Sequence, residues 1–347
     1  MNQISRSFVG AALPRDGIRN RGIKPRLHFR SVLAAVVFIT GLLSLASNAF
    51  AGVTAVGSIC LTVGDLDREL AFYAQVLPFK KVGETFTSSG LEADRRYGLT
   101  GVKTRSATLR LGAETITLTE FISPKGRAIP TDSRSFDHWF QHIAIVVRDM
   151  DAAYAVLAKA RVRHVSTSPQ SLPLSNPNAG GIKAFYFQDP EAHVLEIIWF
   201  PRGKGDPRWQ QWTDELFLGI DHTAIVVSDT ERSLAFYHDA LGMRVVGGAE
   251  NFGVEQEHLN QVFGARLRIT ALKAPAGPGI EFLEYITPPG GRPLPADAQV
   301  GDLLAWRTSV TMDQPTITSV AATNAAGSSV TPALLRDPDG HLLEIVP

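Results

Sequence analysis

The chain has 347 residues, of which 44% are hydrophobic and 20% charged, with 34 basic against 34 acidic side chains. That apolar share is enough for two compact domains and excludes a chain that is disordered throughout. The single cysteine, Cys60, excludes an internal disulfide framework and is expected to be a small buried apolar residue.

Residues 1–30 carry Arg6, Arg15, Arg19, Arg21, Lys24, Arg26 and Arg30 against one acid, Asp16, and the uncharged stretch SVLAAVVFITGLLSLASNAFAG follows. A basic leader, a short apolar run and the small-x-small sequence Ala49-Phe50-Ala51 predict a signal peptide over residues 1–51, cleaved after Ala51. An uncleaved anchor is the alternative, and the basic leader would keep the folded part outside the membrane in both cases. The expectation is a periplasmic or secreted protein with no stable membrane association after cleavage. Without the leader, 27 basic residues face 33 acidic ones, a net charge near −6, so nucleic acid is not an expected partner.

After the leader, GDLDRELAFYAQVLPFKKVG (64–83) matches SDTERSLAFYHDALGMRVVG (228–247) at a constant offset of 164 residues. The match resumes in LTEFISPKGR against FLEYITPPGGR, and each half closes on Asp-Pro-x-x-His-x-Leu-Glu, in FYFQDPEAHVLEIIWF (185–200) and ALLRDPDGHLLEIVP (333–347). The halves are therefore duplicates. Each half holds two smaller units, which open on an apolar or alternating strand such as HIAIVVRD (142–149) or HTAIVVSD (222–229). A helix follows, with apolar residues three and four apart and acids in its first turn, and then three short strands bounded by Gly and Pro. The predicted order is strand, helix, three strands, in four modules at about 53–123, 138–201, 218–287 and 303–347, with the Pro/Gly-rich linkers SPKGRAIPTDSRS and TPPGGRPLPADAQ between modules.

The His-x-x-x-x-x-x-Asp opening strands and Asp-Pro-x-x-x-x-x-Glu closing strands resemble those of the vicinal oxygen chelate superfamily, which includes glyoxalase I, epimerases, bleomycin-binding proteins and extradiol dioxygenases. The resemblance implies an α+β fold of four βαβββ modules forming two cup-shaped glyoxalase-like domains, 52–201 and 218–347, joined by a linker over 202–217. It also implies a divalent metal inside a cup, with a His or Gln from an opening strand and a Glu from a closing strand as ligands.

Counting back seven residues from the Asp of each opening strand gives Ser58, His142 and His222 in the first three modules. The closing strands place Thr117, Glu196, Glu281 and Glu344 at the matching positions. Glu284 is an alternative to Glu281 but points to the opposite face, because strand side chains alternate. In the fourth opening strand the position falls on Arg307, or on Trp306 in the other register, and neither binds metal. Only the second and third modules thus supply a complete set, His142, Glu196, His222 and Glu281. Two imidazoles and two carboxylates suit Zn, Ni, Fe, Co or Mn. Crossed pairing, second module with third and first with fourth, gives one complete and one vestigial site, whereas sequential pairing gives two incomplete ones.

A lone buried His is more often a hydrogen-bonded core residue than a ligand, and a lone strand Glu can be an edge charge; four ligand types at four matching positions favour a metal site. His193 and His341 face away from the glutamates and belong to the turn. Arg266, Arg268 and the loop NPNAGGIK (176–183) read as cup wall and rim for an anionic substrate, or as surface charge and plain loop. The resemblance implies a lyase or isomerase of the glyoxalase or epimerase kind acting on a small metal-chelating substrate, with Glu281 and Glu196 as the catalytic carboxylates that move a proton between adjacent carbons. The alternatives are an extradiol-type ring-cleaving dioxygenase and a non-catalytic cup that sequesters a small molecule. Export argues against a glutathione adduct as substrate, since glutathione is mainly cytosolic.

Overall fold

The structure, a computed structural model, describes residues 52–313 and 333–346. The expected leader and residues 314–332 of the fourth module lie outside the described residues. The first module runs β1 (Val53–Val63), α1 (Leu66–Gln75), β2 (Lys80–Ser89), α2 (Leu91–Tyr97), β3 (Lys103–Leu111) and β4 (Glu114–Ser123). The second runs β5 (Gln141–Val147), α3 (Met150–Ala160), two-residue strands β6 (Arg163–His164) and β7 (Gln170–Ser171), then β8 (Lys183–Gln188) and β9 (Val194–Trp199). The third is β10 (Phe217–Val226), α4 (Thr230–Leu234) continuing as a π-helical turn, β11 (Arg244–Phe252), α5 (Val254–Asn260), β12 (Arg266–Lys273) and β13 (Gly279–Thr287). Of the fourth, β14 (Trp306–Met312), β15 (Ala333–Arg336) and β16 (Leu342–Val346) are described.

The recurrent Asp after each of the first three opening strands is a helix N-cap. Asp65 accepts from the Arg68 backbone N–H, Asp149 from Ala152, and Asp229 from Glu231 and Arg232. The constant spacing between ligand position and Asp is therefore the distance from the middle of a strand to the start of its helix. The extra helices α2 and α5 are not part of the predicted order.

Two sheets form. One has the order β15-β16-β14-β1-β4-β3-β2, and the other β11-β12-β13-β10-β5-β9-β8-β6, with β7 also paired to β8. The first and fourth modules thus share one sheet, the second and third the other, each joined by an antiparallel seam, β1 with β14 and β5 with β10. Pairing is crossed. The cores divide differently: on the opposite faces, Ile59, Leu61 and Tyr73 pack with Ile143, Leu157 and Phe185 of the second module, while Ile225 and Tyr237 pack with Val310 and Leu343 of the fourth. Each half of the sequence shares a core, and each concave face draws on both halves.

Two repeated contacts fix this arrangement. The closing turn of one module docks on the helix of its predecessor: the Tyr73 hydroxyl donates to Asp189 at 3.3 Å and that of Tyr237 to Asp337 at 3.1 Å. His193 Nδ1 meets Asp189 at 2.8 Å, and the Nε2 atoms of His193 and His341 reach the carbonyls of Thr62 and Val226 at 3.0 and 2.9 Å. Both histidines are turn residues, as expected. The linkers clasp across the halves, with Arg127 Nη2 on Asp302 and Arg292 Nη2 on Asp137, each at 2.7 Å.

Candidate metal and active site

Strands β5, β9, β10 and β13 lie side by side, and each is apolar on its outer face because helices and the other sheet cover it. On β9, Leu195 and Ile197 enter that core while Glu196 and Ile198 face inward. A single carboxylate in an apolar run is what a strand buried on both faces requires when one face lines a polar site. At the seam, His142 is paired with Ala224 and His222 with Ala144. The methyl side chains leave room on the same face for the two imidazole rings, whose centroids are 5.8 Å apart.

His142, Glu196 and His222, all buried, offer ligand atoms that lie within 4.8 Å of one another. The Glu196 Oε2 atom is 3.1 Å from His142 Nε2 and 3.8 Å from His222 Nε2, and Glu281 Oε2 is 3.5 Å from His222 Nε2. Three of the four ligand candidates from the sequence converge tightly, and Glu281 stands beside them. Glu284 faces the other way, accepting from the Thr230 hydroxyl at 2.7 Å and from Arg268 at 3.1 Å.

His222 is oriented from behind: its Nδ1 is 3.0 Å from Asp221, whose carboxylate accepts from Trp209 Nε1 at 2.7 Å. A carboxylate that fixes the imidazole tautomer and leaves Nε2 for an ion is the usual support of a metal-bound histidine. Asp221 and Trp209 had no motif to mark them, although Asp221 directly precedes His222. Burial would raise the Asp221 carboxyl, but the bond to His222 and its charge, the Trp209 bond and the Lys273 charge together outweigh it and hold the pKa down to about 2. Burial disfavours the His222 imidazolium, yet Glu281, Asp221 and Glu196 together raise its pKa to about 9. Burial lowers that of His142, so this ring is neutral and ready to donate a lone pair. Glu281 is pushed up to about 7, chiefly by burial, against the pull of His222.

The donor set fits a divalent ion. The Nε2 atoms of both histidines are buried without a good hydrogen-bond partner, and buried polar atoms are costly unless something satisfies them. A cation among His142, Glu196, His222 and Glu281 would also relieve the crowding of carboxylates. Glu196, His222 and Glu281 line a cavity of about 610 Å³, walled by β8, β9, β11, β12 and β13, the helix α5 and the rim residues Asn178 and Ala179. The rim loop 176–183 therefore reaches the cavity. Arg266 and Arg268 do not, because they bind Glu250 and Glu284 on the outer face while Leu267 and Ile269 face in.

The matching positions of the other sheet are built differently. Ser58 and Thr117 bond to each other at 2.8 Å. Arg307 is fully buried, donates to the Thr62 and Thr119 hydroxyls at 3.3 and 3.2 Å, and lies 3.6 Å from Glu344, which Arg96 also holds at 2.6 Å. The guanidinium takes the place of a metal ligand and partly neutralises Glu344. Trp306, in the other register, packs in the core. Cys60 is buried nearby and free, and burial raises its thiol pKa.

The sequence matches the profile of the Glyoxalase/Bleomycin resistance protein/Dioxygenase superfamily twice, over residues 55–197 and 219–345. It is 32% identical over 157 residues to a 2-epi-5-epi-valiolone epimerase from an Actinomyces species, covering 44% of this chain and 82% of the relative. It is 26% identical over 184 residues to a lactoylglutathione lyase of Arabidopsis thaliana, covering 53% of each, so it spans about half the length of that relative. Among solved structures, a glyoxalase I variant from Zea mays aligns with a TM-score of 0.52 at 16% identity, covering 84% of this chain and 92% of that one, a likeness of fold alone.

Proposed function

The chain belongs to the Glyoxalase/Bleomycin resistance protein/Dioxygenase superfamily, and from that we propose that it is a metal-dependent lyase or isomerase acting on a small oxygenated, metal-chelating substrate. His142, Glu196 and His222 would hold the ion, and Glu281 would complete the set. Such an ion supplies Lewis acidity to a substrate's vicinal oxygens. Glu281 takes the proton from the carbon beside the carbonyl and returns it to the neighbouring carbon. Asp221 keeps His222 in the tautomer that frees Nε2.

The observation that carries this reading is the position of Glu281. It adjoins the three-residue cluster at 3.5 Å from His222, and at 21% exposure its side chain is the most accessible of the four, against 6% for Glu196. A carboxylate beside the ion and open to the cavity is placed for acid–base work. Glu281→Gln should retain most of the metal but lose solvent deuterium exchange at the carbon next to the carbonyl of a 2-hydroxy-carbonyl substrate, whereas Glu284→Gln should keep both. Wild-type exchange in Glu281→Gln would refute the assignment. The tight two-His, one-Glu cluster favours a second reading, an extradiol-type dioxygenase, which oxygen uptake with a catechol would reveal.

Export is part of the proposal. It is supported by the basic segment, the uncharged run and Ala49-Phe50-Ala51. Exported protein should begin at Gly52 on N-terminal sequencing, and recovery of the full-length chain from the cytosol would contradict this.

A further inference from the structure

Asp221 and His222 are neighbours in sequence, and in a regular strand their side chains would point to opposite faces. Both line the cavity. The pairing of β10 with β5 explains this: Ile220 is paired with Ile145 and His222 with Ala144, so Asp221 is an extra residue, a β-bulge that turns its carboxylate toward the imidazole of the next residue. The same bulge recurs in β1, where Val56 is paired with Val310 and Ile59 with Thr308. At the offset of the repeat, Gly57 and Ser58 stand there in place of Asp221 and His222. A Cβ on Gly57 would lie 2.7 Å from Ser309 Oγ, so Ser309 fills the space beside it.

The Asp221 carboxylate is held at both oxygens, Oδ2 facing His222 Nδ1 at 3.0 Å and Oδ1 accepting from Trp209 Nε1 at 2.7 Å. An ionised carboxylate only accepts, so Nδ1 is the donor. Trp209 belongs to neither sheet and stands on the 3-10 turn Pro207–Gln210 of the linker. That turn is pinned twice. Asp206 caps it, accepting from the Arg208 backbone N–H at 3.1 Å, and also accepts from Lys273 Nζ on β12 at 3.2 Å. Arg208 Cζ lies 3.8 Å from the Trp209 ring centroid, and its Nη1 donates to Glu114 of the first module at 2.6 Å. Glu114 Oε2 in turn accepts from the Ile220 backbone N–H at 3.0 Å, beside the bulge. A Cβ on Gly219 would come within 2.9 Å of the Trp209 ring and 2.5 Å of Glu114 Oε2, so indole and carboxylate both lie against bare backbone there. His142 has no such support, since its Nδ1 lacks a hydrogen-bond partner among the described residues.

We propose that Trp209 is a positioning residue of the metal centre: from the linker it holds Asp221 in the bulge, and Asp221 so held fixes His222 for the ion. Through Arg208 and Glu114 the first module, whose own ligand positions are Ser58 and Thr117, braces that indole. The inference rests on the metal-centre reading of the same residues. It gives the linker turn a use that no ligand motif marks, because the groups that orient a metal-bound imidazole set metal affinity together with the ligands themselves.

The test uses the mature chain and zinc, with affinity measured by competition against a chromophoric chelator and the zinc form followed by nitrogen-edited NMR. Trp209→Phe keeps an aromatic ring beside Arg208 and removes the N–H. It should weaken zinc binding by at least about threefold, less than the loss of about tenfold or more expected of Asp221→Ala, because it acts at one remove. The double variant should match Asp221→Ala to within about twofold, since without Asp221 the indole has no carboxylate to hold. The His222 Nδ1–H proton of the zinc form should exchange with water at least about threefold faster in Trp209→Phe than in the wild type. A role in packing alone would weaken both backgrounds equally and leave that proton unchanged. With zinc bound by the wild type, a smaller fall in Trp209→Phe, a double variant weaker than that limit, or unchanged proton exchange would overturn this inference alone. Should Asp221→Ala not fold, the single variant and its proton exchange still decide. A wild-type chain that binds no zinc would overturn the metal-centre reading and this inference with it.

Discussion

Glu69, on α1, is fully buried, and neither carboxyl oxygen has a good hydrogen-bond partner. Arg68 comes no closer than 3.9 Å, and the carboxylates of Asp189 and Glu191 lie nearby. Burial first, and those two carboxylates next, hold the Glu69 pKa far above its ordinary 4.5. The folded state therefore keeps a proton that the unfolded chain releases above about pH 4.5, so this residue's contribution to stability declines as pH rises from there. The equivalent position in the second half is Ser233, which has no ionisable group to bury. Glu69→Gln should stabilise the protein at pH 8 by roughly 1–3 kcal/mol, because an amide has no carboxyl proton for the folded state to retain, and by much less at pH 4.5. Thermal unfolding at the two pH values measures this, and a variant less stable than wild type at pH 8 would refute it. Residues of this sort are hidden in sequence: Glu69 occupies a helical position that reads as a solvated charge, and only the packing of the Asp189 turn against α1 buries it. Glu196 and Glu281, by contrast, were legible because an acid inside an apolar strand has few other uses.

The opening strand, its capping Asp and the closing Asp-Pro-x-x-His turn were all readable, because each repeats in register between the halves. The physical reason is now clear for the turn: Asp189 and Asp337 each hold a Tyr of the Leu-Ala-Phe-Tyr helix, so the two motifs persist as partners. The helices α2 and α5 were not read. Each is seven residues long, starts after a glycine with positive φ rather than after a side-chain cap, and is too short to show a helical period. That omission mattered, since α5 forms part of the cavity wall. The Gly-Arg of each linker stood in the repeat, but nothing near it named Asp302 or Asp137 as its partner, because the Arg–Asp contacts span 175 and 155 residues.

For the molecule as a whole, duplication permits two ways of pairing four modules, and local patterning is the same in both. What distinguishes them in the sequence is where ligand types were lost: the first module has Ser58 and Thr117, the fourth Arg307. In the structure, Arg307 and Glu344 face Ser58 and Thr117 across one seam, and His142 and His222 share the other. The central claim is a single metal centre assembled from both halves, and metal content of the purified mature chain and its variants tests it most directly. About one divalent ion per chain is expected, lost by more than about tenfold in affinity in both His142→Ala and His222→Ala, and unchanged in Ser58→Ala. Two ions per chain, none at all, or a His222→Ala variant that keeps its ion while Arg307→Ala loses it would contradict the account.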